Sequence, residues 1–179
     1  MAQQKFKVKI SKKYNPQERV AIGVEIIDHI IERSKAGKDK KNNDLPSYSK
    51  GYVDSFDFKL AGKSKKPNLE LSGEMLNSLT VLNHKSGEIT VGIPRDDDFN
   101  NAKAEGNIKG TYGQKKPIKG KKRDFMGISR SDLGKITEKY PTKKGDTNLS
   151  LVKTLLATEA SREIADQFLN VEGLDSELS

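Results

Sequence analysis

Between Asn15 and Gly37 the chain spells a helix that cannot stand alone. Asn15-Pro16-Gln17-Glu18 is a start signal, with Asn at the N-cap, Pro at the first helical position and Glu three residues after the cap. Val20, Val24, Ile27 and Ile31 then recur at helical spacing, with Ile26 and Ile30 alongside, giving one broad apolar face. Gly37 is a stop at the left-handed position past the helix end. The β-branched residues lose side-chain freedom against the preceding turn and lower the helix propensity. Burial must hold this helix together, so it is expected in the core.

Strand patterns flank it. Phe6-Lys7-Val8-Lys9-Ile10 alternates as a half-buried strand does. Thr80-Val81-Leu82-Asn83 and Glu88-Ile89-Thr90-Val91-Gly92-Ile93-Pro94 form a hairpin, with Lys85-Ser86-Gly87 as its turn and Gly87 at the left-handed site. Lys38 to Pro46 reads as a mobile polar loop. Tyr48, Tyr52 and Phe56, four apart, predict a short helix whose aromatic stripe lies in the core. Ser72 is the expected cap of a short helix over 73–78. Asp96-Asp97-Asp98 precedes a helix reaching Glu105, and Ile108 to Lys122, with three Gly and one Pro, reads as an exposed loop. Ser129-Arg130-Ser131-Asp132 starts another helix, buried through Leu133 and Ile136. Asn148 begins a C-terminal helix to about Leu169, with Val152, Leu155, Leu156, Ala160, Ile164 and Phe168 on one stripe, followed by an acidic tail. The organisation is one domain over 1–145 with a helix and tail over 146–179.

Only 33% of the 179 residues are apolar and 32% are charged, which fits a small core with large solvated or partner-covered surfaces. With no cysteine, disulfides, thiolate nucleophiles and Cys-ligated zinc are excluded. No stretch approaches the roughly 20 apolar residues of a membrane span, and no secretory signal is expected at the N-terminus. The net charge is +8, and it is unevenly spread. Ile108 to Arg123 holds seven positive residues and no acidic one, whereas Glu159 to Ser179 holds six acidic residues and one Arg.

One long stretch has an ordered composition. It opens with Leu69-Glu70-Leu71-Ser72-Gly73-Glu74-Met75-Leu76-Asn77-Ser78-Leu79 and continues through the hairpin and a polar, Gly-containing segment. It closes with Arg123-Asp124-Phe125-Met126-Gly127-Ile128-Ser129 and the helix to Ile136. Strand, Ser-Gly-x-Met-Leu turn, hairpin, polar loop, Arg-x-Phe-x-Gly strand and Ser-capped helix, in that order, resemble the virion-morphogenesis and tail-completion proteins of tailed bacteriophages. The Ala-x-x-His that members often carry before the Arg-x-Phe-x-Gly strand is absent, with Asn101-Ala102-Lys103-Ala104-Glu105-Gly106 in its place. The resemblance implies an α+β subunit, a small antiparallel sheet packed by helices, to which the residue patterns add the long N-terminal helix and the C-terminal helix. It also implies a structural virion protein without catalytic activity or cofactor. Such a protein is a tail terminator, tail-completion protein or neck adaptor that closes the tail and joins it to the head. Copies assemble as a ring, commonly six, against connector and tail-tube proteins, with genomic DNA passing through the channel.

Sites of other chemistry fare poorly. Gly62-Lys63-Ser64 ends like a P-loop, but the required earlier glycine is replaced by Asp57. Adjacent Asp96, Asp97 and Asp98 suit a helix start better than a metal. His29 and His84, the two histidines, read as surface residues. The polyanion candidates are Lys109, Lys115, Lys116, Lys119, Lys121, Lys122 and Arg123, which could touch phosphates, remain solvated or dock on an acidic neighbour. Docking is preferred, with Glu159, Glu163, Asp166 and Glu172 as the acidic partners in this chain. The alternative function is a basic nucleic-acid-binding protein, which accounts for the charge but not for the ordered stretch.

Overall fold

The computed structural model describes residues 2–60, 62, 66–69, 73–112, 115–118 and 120–140. Helix α1, Pro16–Lys35, begins as its start signal dictates. The Asn15 side chain accepts the Glu18 N–H at 2.8 Å, and Glu18 Oε2 accepts the Asn15 N–H at 2.8 Å. At the other end Gly37 turns left-handed with φ +77°. Its N–H reaches Ser34 O at 3.0 Å and the Lys38 N–H reaches Arg33 O at 3.0 Å, which satisfies the last carbonyls.

Strands β1 (Lys5–Lys9), β2 (Thr80–Asn83) and β3 (Glu88–Gly92) form a sheet in the order β1-β3-β2, antiparallel throughout. The β2–β3 hairpin turns at Gly87, φ +83°, and a bulge lies between Val81 and Asn83. Phe6 pairs with Val91 and Val8 with Ile89, so the apolar residues of β1 and β3 fall on one face. Helix α1 covers that face. The approach is close at Gly23, where a Cβ would stand 2.6 Å from Val81 Cγ2. This approach sets which residues lie deepest. Ile22, Ile26 and Ile30 are fully buried, and Val24 and Ile27 nearly so, but Val20 and Ile31 are only half-buried. The buried face is rotated from the Val20–Ile31 stripe toward the line flanking Gly23. The fold is α+β, as expected, with its core between α1 and the sheet.

Four short helices and α5 complete the described chain: α2 (Lys50–Val53), α3 (Phe56–Leu60), α4 (Glu74–Asn77), α5 (Asp98–Lys109) and α6 (Arg130–Glu138). Several expectations are corrected. The aromatic segment forms two helices, because α2 stops at Asp54 and Ser55 restarts the chain by capping Phe58. That break shifts the phase, so Phe58 is buried and Phe56 is 75% exposed. The N-cap of α4 is Gly73, φ +78°, not Ser72, which itself lies outside the described residues. Helix α5 runs past Glu105 to Lys109 and ends only at left-handed Gly110, so Ile108 and Lys109 are helical rather than loop. Arg123 to Gly127 forms no strand, because Arg123 turns inward and Gly127 adopts φ +138°. The loop over 38–45 is organised rather than open. The Asp39 carboxylate accepts the N–H groups of Lys41 and Asn43 at 2.8 and 2.9 Å, and Leu45 is buried. The Ser129 cap of α6 holds, with Ser129 Oγ accepting the Asp132 N–H at 3.1 Å. The C-terminal helix and the division at 145/146 lie outside the described residues. No described helix is long and apolar enough to cross a membrane.

Candidate interaction surface around Arg123

The seven basic candidates do not form one exposed patch. Lys109 is on α5 and pairs with Glu105 one turn back. Lys115, Lys116 and Lys122 are exposed. Lys121 is half-buried and its Nζ donates to Ser47 O at 2.6 Å. Lys119 lies outside the described residues, as do Glu159, Glu163, Asp166 and Glu172.

Arg123 departs furthest from expectation. It is 7% exposed, with its guanidinium 5.0 Å from the Tyr48 ring and 5.3 Å from the Tyr112 ring. Its Nη1 donates to Tyr112 Oη at 2.8 Å, Nη2 donates to Pro46 O at 3.4 Å, and its backbone N–H donates to Asn107 O at 2.8 Å. Tyr112 passes its own proton on, donating to Lys121 O at 2.6 Å. Burial raises the Tyr112 phenol above its ordinary value, against the pull of Arg123, so it remains a donor at neutral pH. Tyr48, Tyr52 and Phe58 stack on the other side, with ring centroids 5.2 to 5.6 Å apart in tilted and edge-to-face pairs. A guanidinium is planar, weakly hydrated and always charged, which suits it to this enclosure. Arg123 thus ties the 46–58 segment to the 110–123 loop, and its charge is spent inside the protein rather than on a polyanion.

A second polar cluster joins α1 to α6. Arg33 is buried, and its Nη2 donates to Phe125 O at 2.6 Å and Gly127 O at 3.0 Å. Burial lowers its affinity for the proton, while Asp132, Asp39 and Asp124 oppose that. Four residues before it, His29 is half-buried rather than a surface residue, with Nε2 3.4 Å from Asp132 Oδ2. Ser129 Oγ donates to the same oxygen at 2.7 Å. Serine, aspartate and histidine therefore meet, but in an order that blocks nucleophilic catalysis. The carboxylate stands between the hydroxyl and the imidazole, so the histidine cannot take the serine proton. Asp132 is held below the ordinary carboxylate value, first by Ser129 and then by Asn42, His29 and Lys135.

Sequence reasoning missed a third cluster. Glu25 is buried on α1 and accepts from Tyr140 Oη at 2.6 Å and Lys139 Nζ at 2.5 Å. Burial, then the Glu25 contact, raises the Tyr140 phenol well above its usual value. Glu25 stands one residue from Val24 and Ile26, and its place on the buried side was the available signal. All three clusters tie segments together. Comparison with protein-family models, with curated proteins and with solved structures finds no match to the chain.

Proposed function

We propose that this chain is a structural subunit of a tailed-bacteriophage particle. It acts at the head–tail junction as a tail terminator, tail-completion protein or neck adaptor. The observation that carries this is the ordered stretch from Leu69 to Ile136, whose hairpin, short preceding helix and Ser129-capped helix are all built onto the α1 core. Copies close into a ring, commonly of six, through two different surfaces on each subunit. The neighbours are connector and tail-tube proteins, with DNA in the channel. Exposed Phe56, Leu60 and Phe99 support this, because large apolar side chains of this kind are covered at subunit contacts. Native mass spectrometry of the full chain should show a closed oligomer. Particles lacking the protein should carry unjoined or unfinished tails, and normal joined tails without it would overturn the reading.

The exposed lysines Lys115, Lys116 and Lys122 also favour a second reading, a nucleic-acid-binding protein without a ring. Reversing these three to Glu separates the roles. Docking on the acidic partners Glu159, Glu163, Asp166 and Glu172 predicts failed assembly, rescued in part when those four become Lys. The second reading predicts no closed oligomer in the parent and weakened DNA binding in the variant.

A further inference from the structure

We propose that the sheet face turned away from α1 is a binding surface for the phosphate backbone of double-stranded DNA, with Lys5, Lys7 and Lys9 as its central row. Phe6 and Val8 face the core together with Val91 and Ile89, so strand alternation turns the three lysines the other way. All three are exposed. Across the ladder they pair with Gly92, Thr90 and Glu88. Gly92 has no side chain to rise above the lysines, and a Cβ there would stand 2.6 Å from Lys5 Cβ. Thr90 is small and buried. Glu88 is the one acidic residue of the three strands, and Lys7 Nζ pairs with it at 2.8 Å. The basic strip continues beyond β1. Lys12 lies over the hairpin turn, where a Cβ on Gly87 would meet Lys12 Cγ at 3.1 Å, and Lys85 is exposed in that turn.

The composition of this face selects the partner. Protein interfaces are depleted in lysine at their centres and enriched in aromatic residues and methionine. Among the described residues the large exposed apolar side chains, Phe56, Leu60, Phe99, Tyr112 and Ile118, all lie off the strands. A flat row of ammonium groups above small side chains suits a polyanion. Outward side chains along one strand recur about every 6.6–6.8 Å, comparable to the step between successive phosphates of one DNA strand. Lysines contact phosphates as point charges and read no bases, so the binding is without sequence preference. Lysines on an edge strand also deter pairing with another sheet, a role that needs charge but no ligand. The inference stands whether or not the chain forms a ring.

Fluorescence anisotropy of the full chain with a labelled mixed-sequence duplex tests it. Each phosphate contact adds about 0.9 to the slope of log K against log salt, so K5Q/K7Q/K9Q should reduce that slope by about 2.7 and weaken binding roughly tenfold or more at low salt. The triple arginine variant should keep the parent slope. In parallel, the duplex should shield Lys5, Lys7 and Lys9 of the unaltered protein from reductive methylation while exposed Lys50 on α2 stays reactive, a measurement that holds even if the triple variant fails to fold. Absence of binding by the parent, an unchanged slope in a folded glutamine variant, or unshielded lysines would overturn the assignment. Shielding that instead appears on raising protein concentration without DNA would assign the face to a protein contact and overturn it equally.

Discussion

The core beneath α1 and the cluster that encloses Arg123 are held by different physics. In the core, Ile22, Ile26, Ile30, Val81, Ile89 and Val91 are almost completely removed from water. Their stabilisation grows with apolar area, has no direction and is shared among many contacts. The cluster sets Tyr48 and Tyr112, from two segments, beside one guanidinium, with Tyr52 and Phe58 packed on Tyr48. Its contacts are directional and meet at a single residue. The core should therefore fail as a whole, whereas the cluster should fail locally when Arg123 or a ring is removed.

The largest expected effect is in the core. Ile26→Asp buries a charge with no partner and should cost more than about 4 kcal/mol, enough to abolish a native far-UV spectrum. A folded variant with the parent's melting temperature would remove α1 from the core. Within the cluster, Phe58→Ala should cost about 3 kcal/mol in chemical denaturation, while Phe56→Ala should stay within about 0.5 kcal/mol. The reverse ranking would place the wrong ring inside. Arg123→Leu should cost about 2 kcal/mol, through lost charge-assisted hydrogen bonds. Hydrogen exchange should then quicken around Tyr48 and Tyr112 but not in α1 or β3. Arg123→Lys should not rescue it, because an ammonium lacks the planar fork that serves two rings and two acceptors.

The smallest effect is pH-dependent. The Asp132 carboxylate is held below the ordinary 3.8 by Ser129, Asn42 and His29. A depressed folded-state value means that its contribution is complete above about pH 4 and is lost as pH falls through the lower folded value. Asp132→Asn should therefore reduce stability by about 1 kcal/mol near neutrality, with the gap to the parent closing below pH 4. Asp28 acts in the opposite sense, because burial and then Glu32 and Glu25 raise its value. Comparing parent with variant cancels that background. A gap that stays constant from pH 7 to pH 2 would show that Asp132 is not held in this way.

The two regions were not equally legible. The start and stop of α1, the hairpin turn at Gly87 and the Ser129 cap are local features, written in adjacent residues and found where expected. The cluster was legible only in part. Tyr48 and Tyr52 were expected in the core but are half-buried, and Phe56 was taken for buried Phe58, because helical spacing was carried across the break at Ser55. Arg123 was read by its charge among lysines. The Arg-x-Phe-x-Gly pattern set it apart from Lys122 but did not mark it as buried, since its enclosing rings come from positions 48 and 112.

By itself, the sequence determined where α1 begins and ends, where the hairpin turns, where α6 begins, that β1 alternates, and that a β-branched helix must be buried. Those properties depend on backbone geometry and on side chains within a few residues of one another. Tertiary structure alone decided how α1 is rotated on the sheet, because the close approach at Gly23 is made by Val81, which is distant in the chain. It also decided which basic groups meet solvent. The same positive charge is enclosed at Arg123 and exposed at Lys5, Lys7 and Lys9, and only the packing of distant segments sets that difference.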